Sequence, residues 1–223
     1  MGLRRAAVTL FLKGALGAIC RIDSREYKAA LEANEPMLVA FNHVNFLDAP
    51  ILVASGYPRR VTGIAKAETW ANPFLAFLFD SYGAIPIERG RAFAGAFESA
   101  RAAIAGGSFV CVAPEGTRSS DGVLGRGKPG IIQLAIESGA PILPVALEGG
   151  ENIWKNMRRL RRTRLAFRAG KPFRIKGDGK PGREERELIT SEVMGQIARL
   201  MPEGKRGIYA QAAQDECRHL EFV

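Results

Sequence analysis

Met37-Leu38-Val39-Ala40-Phe41-Asn42-His43-Val44-Asn45-Phe46-Leu47-Asp48-Ala49-Pro50 is the stretch on which the reading of this chain turns. Residues 37–41 form an unbroken apolar run, as expected of a buried strand. The chain then turns polar, and a histidine and an aspartate follow five residues apart. His43 is one of two histidines in the chain; the other, His219, lies in a polar tail. A lone histidine is more often structural than catalytic, and Asp48 ahead of Ala49-Pro50 fits an ordinary helix N-cap. A histidine leaving a strand end, with a carboxylate one short loop away, is also what a general base with an orienting partner needs. On a continuous helix the two side chains would point about 140° apart. His43 must therefore precede the helix that Asp48 begins, so the cap and the catalytic role are compatible.

Working outward, short apolar runs alternate with helical patterns. Strands are expected at 37–42, 60–66, 83–87, 108–113, 141–147 and 164–168, with 172–176 as a possible seventh. Helices are expected at 49–55, at 70–79 and at 91–105, where Phe93, Phe97, Ala100 and Ile104 form one face. A further helix at 129–138 opens on Pro129 and stops at Gly139, and the last, 183–201, carries Ile189, Val193, Ile197 and Met201 on one stripe. This alternation predicts an α/β single-domain sandwich: a largely parallel central sheet of about six or seven strands, flanked by helices. The expected division is an N-terminal amphipathic helix over 1–22, an α/β core over 23–176, and a linker, C-terminal helix and tail over 177–223. The chain length of 223 residues favours one domain.

Three more blocks follow the His-x-x-x-x-Asp element. They are Gly83-Ala84-Ile85-Pro86-Ile87-Glu88-Arg89, Val112-Ala113-Pro114-Glu115-Gly116-Thr117-Arg118-Ser119, and Ile142-Leu143-Pro144-Val145-Ala146-Leu147. In this order and spacing the four blocks resemble the glycerolipid acyltransferase family, above all its bacterial 1-acyl-glycerol-3-phosphate acyltransferases. The resemblance covers residues from about 36 to 175. It implies transfer of a fatty acyl group from acyl-CoA or acyl carrier protein to the sn-2 hydroxyl of a lysophospholipid, 1-acyl-sn-glycerol-3-phosphate first among them. His43 would be the general base and Asp48 its orienting partner. Asn45 stands where the family often shows serine and keeps a hydrogen-bonding side chain.

Histidine's near-neutral pKa suits removal of a hydroxyl proton. The Glu115–Ser119 loop suits an acidic headgroup. Gly116 lets backbone approach a phosphate, Thr117 and Ser119 bring hydroxyls, and Arg118 brings a planar cationic fork. Arg89 would add a second cation at a neighbouring strand end, where ligand sites of open α/β sheets lie. A purely structural ion pair of Glu115 with Arg118 or Arg89 is the plainer reading, and an orienting Glu115 suits both. Lys66, Arg126 and Lys128 are weaker phosphate candidates. No serine or cysteine is placed as a nucleophile beside His43, so direct attack without an acyl-enzyme is expected. No cofactor and no metal are implied.

Composition narrows the partners. With 32 Lys and Arg against 23 Asp and Glu, the net charge of +9 points to anionic lipid, a phosphorylated substrate, an acidic carrier or nucleic acid. Between Lys155 and Lys176 stand ten basic residues and no acid, beginning beside Trp154 and Met157. A solvated charged face is the plain reading; docking on an anionic membrane, with Trp154 at headgroup level, is the functional one. Nucleic acid is not expected as a partner, since no motif for it is visible. No stretch reaches the roughly 20 apolar residues that span a bilayer. Residues 1–22 read as a helix with Val8, Leu12, Ala15 and Ile19 on one side, fit to lie in a lipid interface or to pack on the domain. No signal peptide, lipoprotein signal or myristoylation site is read there. Cys20, Cys111 and Cys217 form neither a ligand spacing nor a disulfide framework. The expected location is the cytoplasmic face of a membrane, peripherally bound. The competing reading is a non-enzymatic lipid- or nucleic-acid-binding domain built around the basic run.

Overall fold

Every residue of the strand Leu38–Phe41 is buried, with Leu38 and Ala40 in one core cluster and Val39 and Phe41 in another. Alternate side chains leave opposite faces of a sheet, so a strand apolar at every position needs cover on both sides. The computed structural model, which describes residues 2–88, 94–177 and 179–223, supplies that cover with helices. In chain order the elements begin α1 (Gly2–Ile19), β1 (Cys20–Asp23), α2 (Arg25–Ala30), β2 (Leu38–Phe41), α3 (Asp48–Ser55), β3 (Val61–Lys66), α4 (Pro73–Tyr82) and β4 (Ile85–Ile87). They continue with α5 (Ala94–Ala105), β5 (Phe109–Val112), α6 (Gly130–Ser138), β6 (Ile142–Glu148), α7 (Ile153–Met157), β7 (Thr163–Ala169), β8 (Phe173–Ile175), α8 (Arg183–Arg199) and β9 (Leu220–Phe222).

The strands form one sheet in the order β1-β7-β6-β2-β5-β3-β4, with β8 joined to β6 and β9 to β8. From β6 to β4 all neighbours are parallel. β7 and β8 run antiparallel to β6, and β1 is parallel to β7. The fold is thus the expected α/β sandwich on a mostly parallel sheet. It has nine strands among the described residues rather than six or seven. The two unforeseen ones, β1 and β9, are short and partly exposed, and so lack the apolar run by which the others are read. Helices α2 and α7, of six and five residues, escaped for the same reason.

The helix expected at 70–79 begins later. A 3₁₀ turn occupies Ala67–Ala71, and the Asn72 side chain then caps α4 by accepting from the Phe74 and Leu75 N–H groups, with Pro73 in the first helical position. Helix α1 packs on the domain, contacting α3 and α4. Val8, Leu12 and Leu16 are buried, and Arg5 donates to the Val61 carbonyl (2.8 Å). Ala15, expected on the apolar stripe, is exposed, and Leu3, Leu10 and Phe11 also face outward. This helix is apolar on two sides.

β2 lies at the centre of the parallel set, where the direction of the crossovers reverses: β5 adjoins it on one side and β6 on the other. The loops after these three strands meet outside their carboxyl ends, the position at which such sheets bind ligands.

Candidate active site

Asn42, the first residue beyond β2, is buried, and its side chain takes the place of a ladder rung. Its amide donates to the Leu147 carbonyl (3.0 Å) and accepts from the Leu147 N–H (2.7 Å). His43 is held on both sides of its own backbone by the loop after β5. Its N–H donates to Glu115 Oε1 (2.7 Å), and its carbonyl accepts from the Ser119 N–H (2.8 Å). The ring is part-exposed, and its Nδ1 lies 3.0 Å from Asp48 Oδ2, which is buried. The same oxygen accepts from the backbone N–H groups of Val44 and Asn45, each at 2.7 Å. Asp48 is the first residue of α3, and its side chain faces back into the loop instead of capping the helix. With Nδ1 turned to Asp48, Nε2 is the nitrogen left for a reacting hydroxyl, and the buried carboxylate compensates a proton gained there.

Asn45 builds the turn between the pair. Its Oδ1 accepts from the Leu47 N–H (3.0 Å), and its amide donates to the Gly150 carbonyl (3.2 Å). Gly150 itself lies against Asp48: a Cβ there would sit 3.3 Å from Oδ1. Asn42 and Gly150 were given no role by the sequence reading. Their signals were a buried-strand asparagine before the histidine and the Gly149-Gly150 pair after β6.

Glu115 is buried and accepts from His43 through Oε1 and from the Gly125 N–H through Oε2 (2.7 Å). Burial raises its carboxyl pKa, an effect these backbone hydrogen bonds oppose. It therefore ties the His43 backbone to the 119–128 segment. Gly116 adopts φ +65°, and a Cβ there would lie 2.9 Å from Lys128 Nζ, so the lysine stem runs across it. Thr117 and Arg118 are exposed on the same loop. The Ser119 hydroxyl donates to Asp121 (2.7 Å), so this residue shapes the loop. Arg126 is exposed nearby in sequence, and Lys66 lines a recess with Phe46. Arg89 lies outside the described residues. The structure thus brings His43, Asp48, Glu115 and Ser119 into one hydrogen-bonded unit, with Lys128 laid over Gly116. Among the described residues, no three His, Cys, Asp or Glu side chains converge to hold a metal ion.

An apolar cavity of about 320 Å³ opens beside this unit. Phe46 and Leu47, from the turn between His43 and Asp48, form part of its wall. Most of the rest comes from α1, α3, β3 and α4, including Phe11, Leu16, Val53, Leu78 and Tyr82. Cys111 stands apart from the histidine. It is buried in β5, with its thiol pushed up to about 12 by desolvation.

The basic run does not form one patch. Arg168 pairs with Glu26 (2.6 Å) and Arg174 with Glu35 (2.6 Å), while the residues from Lys155 to Arg162 cluster on α7 and the turn after it. No described helix is long and apolar enough to cross a membrane.

The chain belongs to the acyltransferase family, whose model matches residues 22–148. It is similar to the chloroplast 1-acyl-sn-glycerol-3-phosphate acyltransferase of Brassica napus, with 29% identity over 119 residues covering 52% of this chain and 34% of that one. It is also similar to enzymes of the same name from Limnanthes alba (33% over 117 residues, 51% and 41%) and Bacillus subtilis (26% over 131 residues, 57% and 65%). Across these three the match spans from 34% to 65% of the relative's own length. The crystal structure of the 1-acyl-sn-glycerophosphate acyltransferase from Thermotoga maritima superposes with a TM-score of 0.62 at 21% identity. That match covers 96% of this chain and 80% of the other, and shows a shared fold.

Proposed function

We propose that this protein transfers a fatty acyl group from a thioester, carried on coenzyme A or on an acyl carrier protein, to the sn-2 hydroxyl of 1-acyl-sn-glycerol-3-phosphate. The observation that carries the reading is the His43–Asp48 pair, joined by a turn whose Phe46 and Leu47 form part of the wall of an apolar cavity. Nε2 takes the hydroxyl proton as the oxygen bonds to the thioester carbonyl carbon; the C–S bond then breaks, and the leaving thiolate takes that proton back from the imidazolium. The hydrocarbon chain has a dry wall to lie against. Arg118 and Lys128 offer charge to the acceptor phosphate. The names of the family relatives support this acceptor. The protein would act as a peripheral enzyme at an anionic membrane surface, where its excess of basic residues draws it. Free cysteines suit the cytoplasmic face.

The test is thiol release from acyl-CoA with a panel of lyso-lipids. The reading expects release that depends on the acceptor and is fastest with the phosphate-monoester headgroup. A folded protein that releases no thiol with any lyso-lipid or carrier-bound donor would overturn it.

A further inference from the structure

The turn after α7 places a leucine where the backbone asks for glycine. The Arg161 N–H donates to the Asn156 carbonyl (2.9 Å) and the Leu160 N–H to the Met157 carbonyl (3.0 Å), the paired closure of a Schellman motif. The residue at its left-handed position is Leu160, at φ +52°, the one described non-glycine residue with positive φ. A leucine is strained there, and glycine adopts the same conformation freely. Nor does the side chain repay this by packing, since Leu160 is 97% exposed. Glycine would close the helix end equally well, so a strained leucine whose side chain packs on nothing in the free protein points to a role outside it.

The surroundings define the partner. Trp154, Lys155 and Met157 are exposed on the short helix α7, and Arg158, Arg159, Arg161 and Arg162 are exposed on the turn that follows it. The base is braced: Ile153 is buried, Asn156 donates to Thr163 (3.2 Å), and Arg162 donates to the Cys20 carbonyl (2.9 Å). A rigid apolar tip ringed by cations matches a bilayer surface, with phosphates at the rim and hydrocarbon beneath. The helix follows directly on Gly150-Asn152, and Gly150 accepts from Asn45 in the His43–Asp48 turn. We infer that residues 154–162 form an insertion turn that enters an anionic lipid surface with Leu160 at its tip and brings His43 to that surface. The inference rests on the lipid-acceptor reading for its purpose, but vesicle binding tests it without any acyl donor.

The decisive variant is Leu160→Gly. Relief of strain should leave the melting temperature unchanged or raised. Partitioning to vesicles of phosphatidylcholine and phosphatidylglycerol should fall by about ten-fold, the worth of one buried leucine. In a Trp70→Phe background, brominated lipid should quench Trp154 fluorescence, and less so once Leu160 is glycine. Unchanged partitioning together with unquenched Trp154 would overturn the inference. So would unchanged vesicle binding by an Arg158→Glu/Arg159→Glu variant that loses transfer from acyl carrier protein alone, which would make the turn a carrier-docking site.

Discussion

His43 Nδ1 and Asp48 Oδ2 lie 3.0 Å apart, and the aspartate oxygen that meets the ring is the one that accepts the Val44 and Asn45 N–H groups. Orientation of the imidazole and closure of its loop therefore depend on one buried atom. The two residues should fail differently. His43→Ala should keep its melting temperature and lose roughly 10²–10⁴-fold in turnover. Asp48→Asn should lose turnover and also stability, because a neutral amide oxygen accepts the two backbone N–H groups more weakly than a carboxylate and cannot compensate a charged imidazole. Thermal unfolding alongside thiol release separates the two. A folded His43→Ala protein with near-normal turnover would remove the base assignment.

Glu115 predicts a pH dependence. Burial raises its folded pKa above the ordinary 4.5, so the folded state holds the proton more tightly than the unfolded chain. Its contribution to stability is present below about pH 4.5 and lost as pH rises through the folded pKa. In Glu115→Gln that loss should vanish, so the variant should gain on the wild type in melting temperature as pH rises over this window. Turnover should still fall, on the order of ten- to a hundred-fold, because one amide oxygen cannot serve both the His43 and Gly125 N–H groups. A constant difference in melting temperature across the window would contradict this account.

Headgroup recognition should be separable from catalysis. Arg118→Ala and Lys128→Ala should raise the KM for a phosphorylated acceptor several-fold, with less effect on background thioester hydrolysis. Gly116→Ala should act on both scores. Its Cβ would displace the Lys128 side chain, and φ +65° costs a non-glycine residue about 1 kcal/mol. Equal losses in the acceptor-dependent and background reactions would show that these residues serve the fold.

Val53 lines the apolar cavity from α3. Val53→Phe should fill part of that space, at a stability cost of about 1–3 kcal/mol from overpacking. The ratio of short-chain to long-chain acyl-CoA use should rise. An unchanged chain-length profile would place the acyl chain elsewhere.

Much of this protein was legible in its sequence because period and punctuation are local. The run Met37–Phe41 became a strand buried on both faces, and Pro129 and Gly139 bracket a helix whose final residue meets a left-handed glycine. His43 and Asp48 are close in sequence, so one turn sufficed to join them. What the chain alone left open is what depends on folding distant segments together. Glu115 reads equally well as half of a surface ion pair, and only the adjacency of β5 to β2 turns it toward the His43 backbone, 72 residues away. The cavity is composed of residues that read as core, because apolarity is the same signal whether the space between side chains is filled or empty. The basic run looked continuous until the fold committed Arg168 and Arg174 to carboxylates. Leu160, unremarked in the sequence, became informative only through its backbone angle and its exposure. Local composition determined the elements and the His43–Asp48 pair, whereas the positions of charges, cavities and strain followed from which strands the sheet placed side by side.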